Sequence, residues 1–202
     1  MSPLSSDDRR LLLQIARKSI VEAVIFGRPW RAPAQSGALG EHRGAFVTLS
    51  GSERLRGCVG QPLSLEPLVQ TVARCAVLAA RDDSRFAPVG PGEVAELTIE
   101  ISVLSPMEPT QPERIEIGRH GLWIEAGNDR GLLLPQVAIE HGFTRERFLA
   151  ETCEKAGLPP EAWKLPEAKI LAFTAEVFSE RELGPGARGT TEPLGGTARR
   201  EE

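Results

Sequence analysis

The chain contains no tyrosine, and aromatic residues make up only 5% of its 202 residues. Rings on which single-stranded bases could stack are therefore scarce, which argues against specific RNA binding. A basic excess is missing too: 24 lysines and arginines stand against 28 aspartates and glutamates, a formal charge of −4. Without a basic face to neutralise phosphates, general nucleic-acid binding is not expected, and neither is a polybasic membrane anchor. No apolar run approaches the ~20 residues that a membrane span requires.

Cysteine is nearly as scarce. Cys58, Cys75 and Cys153 are odd in number and far apart. With no CxxC or HxH pair, neither a disulfide framework nor a zinc knuckle is supported. A reducing, cytoplasmic setting fits this usage. The N-terminus lacks the pattern of a signal peptide, since Asp7 and Asp8 stand where a basic region belongs. Also missing are the phosphate loop GxxxxGK[ST], GxGxxG, GxSxG and HExxH, so the common nucleotide, hydrolase and zinc-protease readings lose their main support. No cofactor is implied.

What is present reads as one α+β unit over residues 1–183, possessing a mostly antiparallel sheet or sheets with flanking helices. Residues 6–26 are expected to be helical, with Ser5 or Ser6 as N-cap, Asp7 and Asp8 in the first turn, and Gly27 and Pro29 as the stop. The period then changes to two. "GAFVTLS" (44–50) and "RLRGCVG" (54–60) flank "GSE" and predict a hairpin. A second helix is expected over 64–83, capped by Ser64. "ELTIEISVL" (96–104) alternates cleanly, with Leu97, Ile99, Ile101 and Val103 on one side and Thr98, Glu100 and Ser102 on the other. A second hairpin follows at 121–136, turning through Gly127 to Gly131, then a short helix over 136–142 and another over 144–157 capped by Thr144. The last strand is expected at 168–178. From Gly184 onward apolar residues give way to Gly, Pro, Thr and charge, and the tail 184–202 is expected to be disordered.

The stretch that could carry chemistry is "SERLRGCVGQP". On a strand, Arg56 and Cys58 would share one face, and an arginine near the sulfur would favour the nucleophilic thiolate. Gly57 and Gly60 would let a ligand or another backbone come close. The plainer alternative is that Cys58 is a small buried residue in a tight bend. Cys75 and Cys153 fall in apolar helical patterns and read as core. In "RDDSRF" (81–86), Arg85 could add a second anion contact, oriented by Asp82 or Asp83. The alternative there is a solvated helix end. His120, between glycines in "GRHGLWI", could serve as general acid or base, or simply lie at the surface. Gln136 and Glu140, four apart, share a helical face and could line a pocket or hold a turn.

In order and spacing, "LRGCVG" (55–60), "RDDSRFAPV" (81–89), "GRHGLWIE" (118–125), "LLLPQVAIEHGF" (132–143) and "CEKAGLPPEAW" (153–163) resemble the AMMECR domain family, in its prokaryotic branch. The resemblance implies an α+β fold of two unequal subdomains with a cleft, and makes Leu55, Arg56, Gly57, Cys58, Val59 and Gly60 the family signature. Prokaryotic members are often encoded with, or fused to, Memo-type proteins resembling non-haem iron dioxygenases and radical-SAM proteins, together called the AmmeMemoRadiSam system. Two functions follow as expectations. One is a subunit or adaptor working with Memo-type and radical-SAM partners through the LRGCVG surface. The other is a cysteine-dependent enzyme acting on a small anionic substrate, with Cys58 as nucleophile or redox thiol and His120 as proton carrier.

Overall fold

Ser5 starts the first helix. Its hydroxyl accepts the Asp8 N–H at 3.1 Å while the Asp8 carboxylate accepts the Ser5 N–H at 2.9 Å. This reciprocal cap satisfies two donors that a helix start leaves open. A computed structural model describes residues 2–52 and 54–184; of the expected tail, everything after Gly184 lies outside the described residues. Helix α1 (Ser6–Val24) buries Leu12, Leu13, Ile15, Ala16 and Ile20; of the side expected from Leu11, Leu12, Ile15, Val21, Val24 and Ile25, only Leu12 and Ile15 are fully buried, and Ile25 is 46% exposed.

The hairpin forms as β1 (Ala45–Gly51) and β2 (Arg54–Gln61). Helix α2 (Leu68–Arg81) starts four residues later than expected, with Pro67 at its N-cap. Ser64 does not cap it. Its hydroxyl instead lies 2.7 Å from that of Thr71, within the turn before the helix. Strand β3 (Thr98–Leu104) sends Ile99, Ile101 and Val103 into the core, as its alternation predicts.

The segment expected as one strand at 168–178 is two. β7 (Lys169–Phe173) and β8 (Ala175–Ser179) are separated by Thr174 and belong to different sheets. The first sheet has the order β2-β1-β3-β8, antiparallel throughout. Helices α1 and α2 pack on one of its faces. The second sheet combines β4 (Glu108–Pro109), β7, β5 (Gly121–Ala126) and β6 (Asp129–Leu133) in the order β4-β7-β5-β6. Two short helices accompany it, α3 (Pro135–Glu140) and α4 (Arg145–Lys155), the latter capped by Thr144 as predicted. Each sheet has its own core. The larger is centred on Leu12, Leu68, Val72 and Ile101, and the smaller on Leu122, Ile124, Phe148 and Leu149. The chain passes between the sheets twice, after β3 and at Thr174. The two crossings are tied where Ser105 N–H donates to the Thr174 carbonyl and Thr174 N–H to the Ser105 hydroxyl, each at 2.9 Å.

A four-residue helix, α5 (Glu180–Leu183), closes the fold against α1. Its first residue, Glu180, is fully buried and accepts from Nε and Nη2 along one guanidinium edge of Arg17. Cys75 and Cys153 are buried, as their patterns predict.

Candidate functional site around Cys58

β2 is an edge strand, and its pairing with β1 contains a bulge. Leu49 faces Gly57 and Ser50 faces Leu55, so Arg56 is an extra residue in the ladder. The bulge accounts for the first departure from expectation. Arg56 is not the cation beside the sulfur. Its guanidinium reaches the following loop, with Nε on Glu93 at 2.8 Å, Nη1 on the Ala87 carbonyl at 2.6 Å and Nη2 on the Pro88 carbonyl at 3.1 Å. Glu93 also accepts the Gly90 N–H at 2.7 Å. With Arg56 first and Gly90 second as donors, the Glu93 carboxyl is held down at about 2.

That clamp lays residues 82–93 along the open edge of β2. There Asp83 accepts the Cys58 N–H at 2.8 Å, and Arg85 Nη2 donates to the Cys58 carbonyl at 3.1 Å. The two side chains bind each other through two further contacts of 3.0 and 2.7 Å. Together they occupy the donor and acceptor that a neighbouring strand would use, which protects the edge from unwanted pairing. The Arg85 guanidinium, with the Cys58 N–H behind it, drives the Asp83 carboxyl well below the usual range against the opposing effect of burial. "LRGC" and "DDSRF" are thus one structural unit, and of the two aspartates considered it is Asp83 that orients Arg85.

Because Cys58 turns its backbone outward, it meets Thr48 of β1 as a non-hydrogen-bonded pair, in which opposed side chains are closest. The Thr48 hydroxyl lies 3.3 Å from the Cys58 sulfur and donates to it. Arg85 also interacts with the sulfur electrostatically. The thiol is half-buried, unlike the two core cysteines. A hydroxyl donor and a guanidinium are the partners that a negative sulfur takes. Burial pushes the Cys75 thiol up to about 11 and raises that of Cys153. Native protein treated with a disulfide reagent near neutral pH should therefore release one equivalent of thiolate, from Cys58, and three only after denaturation. Labelling mapped by peptide mass spectrometry checks this.

Register extends the row beyond Thr48. Glu100 of β3 faces Thr48 from the other side, and Ser179 of β8 faces Glu100. All four stand on the sheet face turned away from α1 and α2, since Val47, Ile99 and Ile101 point into the core. Glu100 is half-buried, and its carboxyl is raised by desolvation first, then by Glu182 and Glu140. A carboxyl raised on folding makes the native state bind more protons than the unfolded chain. Its favourable contribution is complete at low pH and fades as pH rises through the raised value. Glu100→Gln should consequently stabilise the protein near neutrality and flatten its pH profile at the acid end, measured by urea unfolding across pH.

Other expected residues lie elsewhere. His120 Nδ1 accepts the Glu116 N–H at 3.0 Å inside its own turn ahead of β5, and no hydrogen bond or ion pair links it to Cys58 among the described residues. Gly57 admits no ligand. A β-carbon there would stand 2.1 Å from the Ala79 carbonyl oxygen of α2, so the glycine serves helix packing. Gly60 is covered by the Phe46 ring, 2.1 Å from where its β-carbon would be. Gln136 and Glu140 both fall on α3. The Gln136 Oε1 is buried without a partner among the described residues, while Glu140 is exposed and adds to the field at Glu100. Thr48 and Glu93 went unremarked in the sequence, and Glu100 was placed only on the polar side of its strand. Simple symmetry about "GSE" would set Thr48 opposite Arg56, and the bulge moves it opposite Cys58, so no sequence signal marked Thr48. For Glu100 the signal was that it is the one charged residue in β3.

With the site laid out, known proteins provide the comparison. The profile of the AMMECR1 family matches residues 13–178. The chain belongs to the AMMECR1 family. A protein of Thermococcus gammatolerans is 47% identical over 181 residues, covering 84% of this chain and 88% of that one. A protein of Methanothermobacter thermautotrophicus is 42% identical over 187 residues, 89% of this chain and 97% of its own. The crystal structure of the uncharacterised protein PH0010 from Pyrococcus horikoshii superposes with a TM-score of 0.79 at 42% identity, covering 84% of this chain and 90% of the other. The family and the α+β fold therefore stand as the sequence indicates. Among the described residues, no helix of this AMMECR1-family chain is long and apolar enough to cross a membrane.

Proposed function

We propose that this AMMECR1-family chain is an enzyme subunit whose Cys58 thiol acts on a small anionic compound. The observation that carries the reading is the sulfur's setting: half-buried, with the Thr48 hydroxyl at 3.3 Å and the Arg85 guanidinium beside it. Arg85 is more than half exposed, so part of its cation still faces solvent and can receive a carboxylate or phosphate. Alkylation offers a direct test, since iodoacetate is itself a small anion and iodoacetamide is neutral. Cys58 should favour iodoacetate over iodoacetamide several-fold more than free cysteine does, and Arg85→Gln should abolish that preference. Equal selectivity in the folded protein and free cysteine overturns the reading.

A second reading is favoured by the surface around the motif. Leu55 is the second residue of β2, and Leu63 and Leu65 follow the strand. They are exposed by 44%, 61% and 90%. Large apolar groups left in water around one strand suit a protein partner. In this reading the chain is an adaptor, and its occupant is a Memo-type protein, with a radical-SAM protein completing the AmmeMemoRadiSam assembly. Co-expression followed by size exclusion should give a complex that Leu63→Glu with Leu65→Glu dissolves. Separate elution of the wild-type proteins at micromolar concentration eliminates this reading. Cys58→Ser divides the two, because docking survives it and thiol chemistry does not.

A further inference from the structure

Four residues cross the face of the first sheet turned away from α1 and α2 in a single row: Cys58, Thr48, Glu100 and Ser179, one from each strand, the first three half-buried and Ser179 buried. Neighbouring strands lie roughly 4.8 Å apart, which sets Cys58 and Glu100 about 10 Å apart at the backbone with a single threonine between them. Their side chains extend from the same face. A small group resting on the Thr48 hydroxyl would have the sulfur at one side and the carboxyl at the other. Among the described residues no hydrogen bond engages the Glu100 carboxyl, whereas Thr48 already donates to Cys58. The groups acting on Glu100 are Glu140 from α3 and Glu182 from α5, both carboxylates, with Thr48 and Ser179 as its neutral cross-strand neighbours.

We propose that Glu100 is the acid–base partner of Cys58, and that the pair works across Thr48 on a small acyl compound carrying an anionic group. The proposal rests on the thiol reading above and adds the residue that handles the proton. Cys58 as thiolate attacks the acyl carbon, and an S–C bond forms. As the bond to the leaving group breaks, that group takes the electron pair and the proton from Glu100. The acyl chain stays on sulfur until water or another acceptor adds to it. Glu100, now ionised, takes the proton from this second nucleophile, and the thiolate departs with its electron pair. Desolvation and the two nearby carboxylates keep Glu100 protonated to higher pH than an ordinary glutamate, which suits the donor's role in the first half. Thr48 is a positioning residue here. It orients the sulfur and forms the floor between the two groups.

The test follows the rate of Cys58 alkylation by iodoacetamide from about pH 5 to pH 9 in the full chain, with Thr48→Val, Glu100→Gln and Glu100→Asp beside wild type. Ionisation of Glu100 across Thr48 should alter the rate about two- to fivefold, giving a shoulder above the ordinary carboxyl range. Glu100→Gln should erase the shoulder, and Glu100→Asp should restore it at a shifted position. A loss of fold alone would not produce that pattern. Thr48→Val should slow alkylation across the whole range. Identical profiles for wild type and Glu100→Gln overturn the role of Glu100 and leave the Cys58 reading in place. A wild-type thiol no faster than free cysteine at neutral pH removes both.

Discussion

Replacing Glu180 with alanine should cost this protein about 3–5 kcal/mol, the range for a buried ion pair that loses one partner. Glu180 has no exposed side-chain surface, and Arg17 has 12%. The guanidinium donates to the carboxylate at 3.0 Å through Nε and 2.5 Å through Nη2, and also to the Val94 carbonyl at 2.6 Å and the Leu97 carbonyl at 2.7 Å. The carboxylate accepts the N–H of the fully buried Ile99 at 3.0 Å as well. Truncation thus strands a buried cation and a buried amide in one step. Helix α1, the start of β3 and helix α5 meet at this point, so the loss should be global. Urea unfolding should show a lower midpoint with an unchanged slope. Glu180→Gln keeps the shape and can still accept from Ile99, so it should cost less than alanine. A midpoint within error of wild type for Glu180→Ala would falsify the view that this pair holds the last turn in place.

Most elements of the fold were legible because each carries its own local signal. The capping box at Ser5 and Asp8, the alternation from Leu97 to Val103, and Thr144 before "RERFLAETC" are written within a few residues. The break at Thr174 is not. "AKILAFTAEVF" runs across it without glycine or proline, and only the existence of two sheets decides that the strand must change partner there. The start of α2 was misplaced for a similar reason. Ser64 is a good N-cap in isolation, but Thr71 draws its hydroxyl away and the Glu41 carbonyl accepts the Leu68 N–H at 2.9 Å.

The site divides along the same line. Which residues matter around "LRGC" and "DDSRF" was visible as two motifs. Their joining into one edge cap depends on the long-range placement of the 82–93 loop. Simple alternation put Arg56 beside Cys58. A single extra residue in the ladder reassigned that arginine to Glu93 and left the sulfur to Arg85. A bulge has no sequence signature strong enough to foresee this. His120 was proposed on chemistry, with no spacing to bind it to Cys58, and its observed partner is four residues away.

Gly57 tests the packing side of the motif, and Gly57→Val should be among the most damaging substitutions in the chain. A β-carbon alone would stand 2.1 Å from the Ala79 carbonyl oxygen and 3.0 Å from its carbon. Both are backbone atoms of α2, so no flexible side chain can yield. The alanines of this helix, Ala73, Ala76, Ala79 and Ala80, already let it lie as near the sheet as side chains permit. Overpacking in a filled core costs about 1–3 kcal/mol and sometimes more. With three added carbons against fixed backbone, at least the upper end of about 3 kcal/mol is expected. The strand cannot retreat easily, because Cys58 beside it is fastened by Asp83 and Arg85 on its other edge. Helix α2 must move, and the Cys58 sulfur moves with the strand. The thiol therefore gives a second readout: Gly57→Val should both lower the urea midpoint and bring Cys75 into reach of a thiol reagent under native conditions. A variant of wild-type stability with Cys75 still protected would mean that α2 and β2 can separate freely, and the rigid seat assigned to Cys58 would lose its foundation.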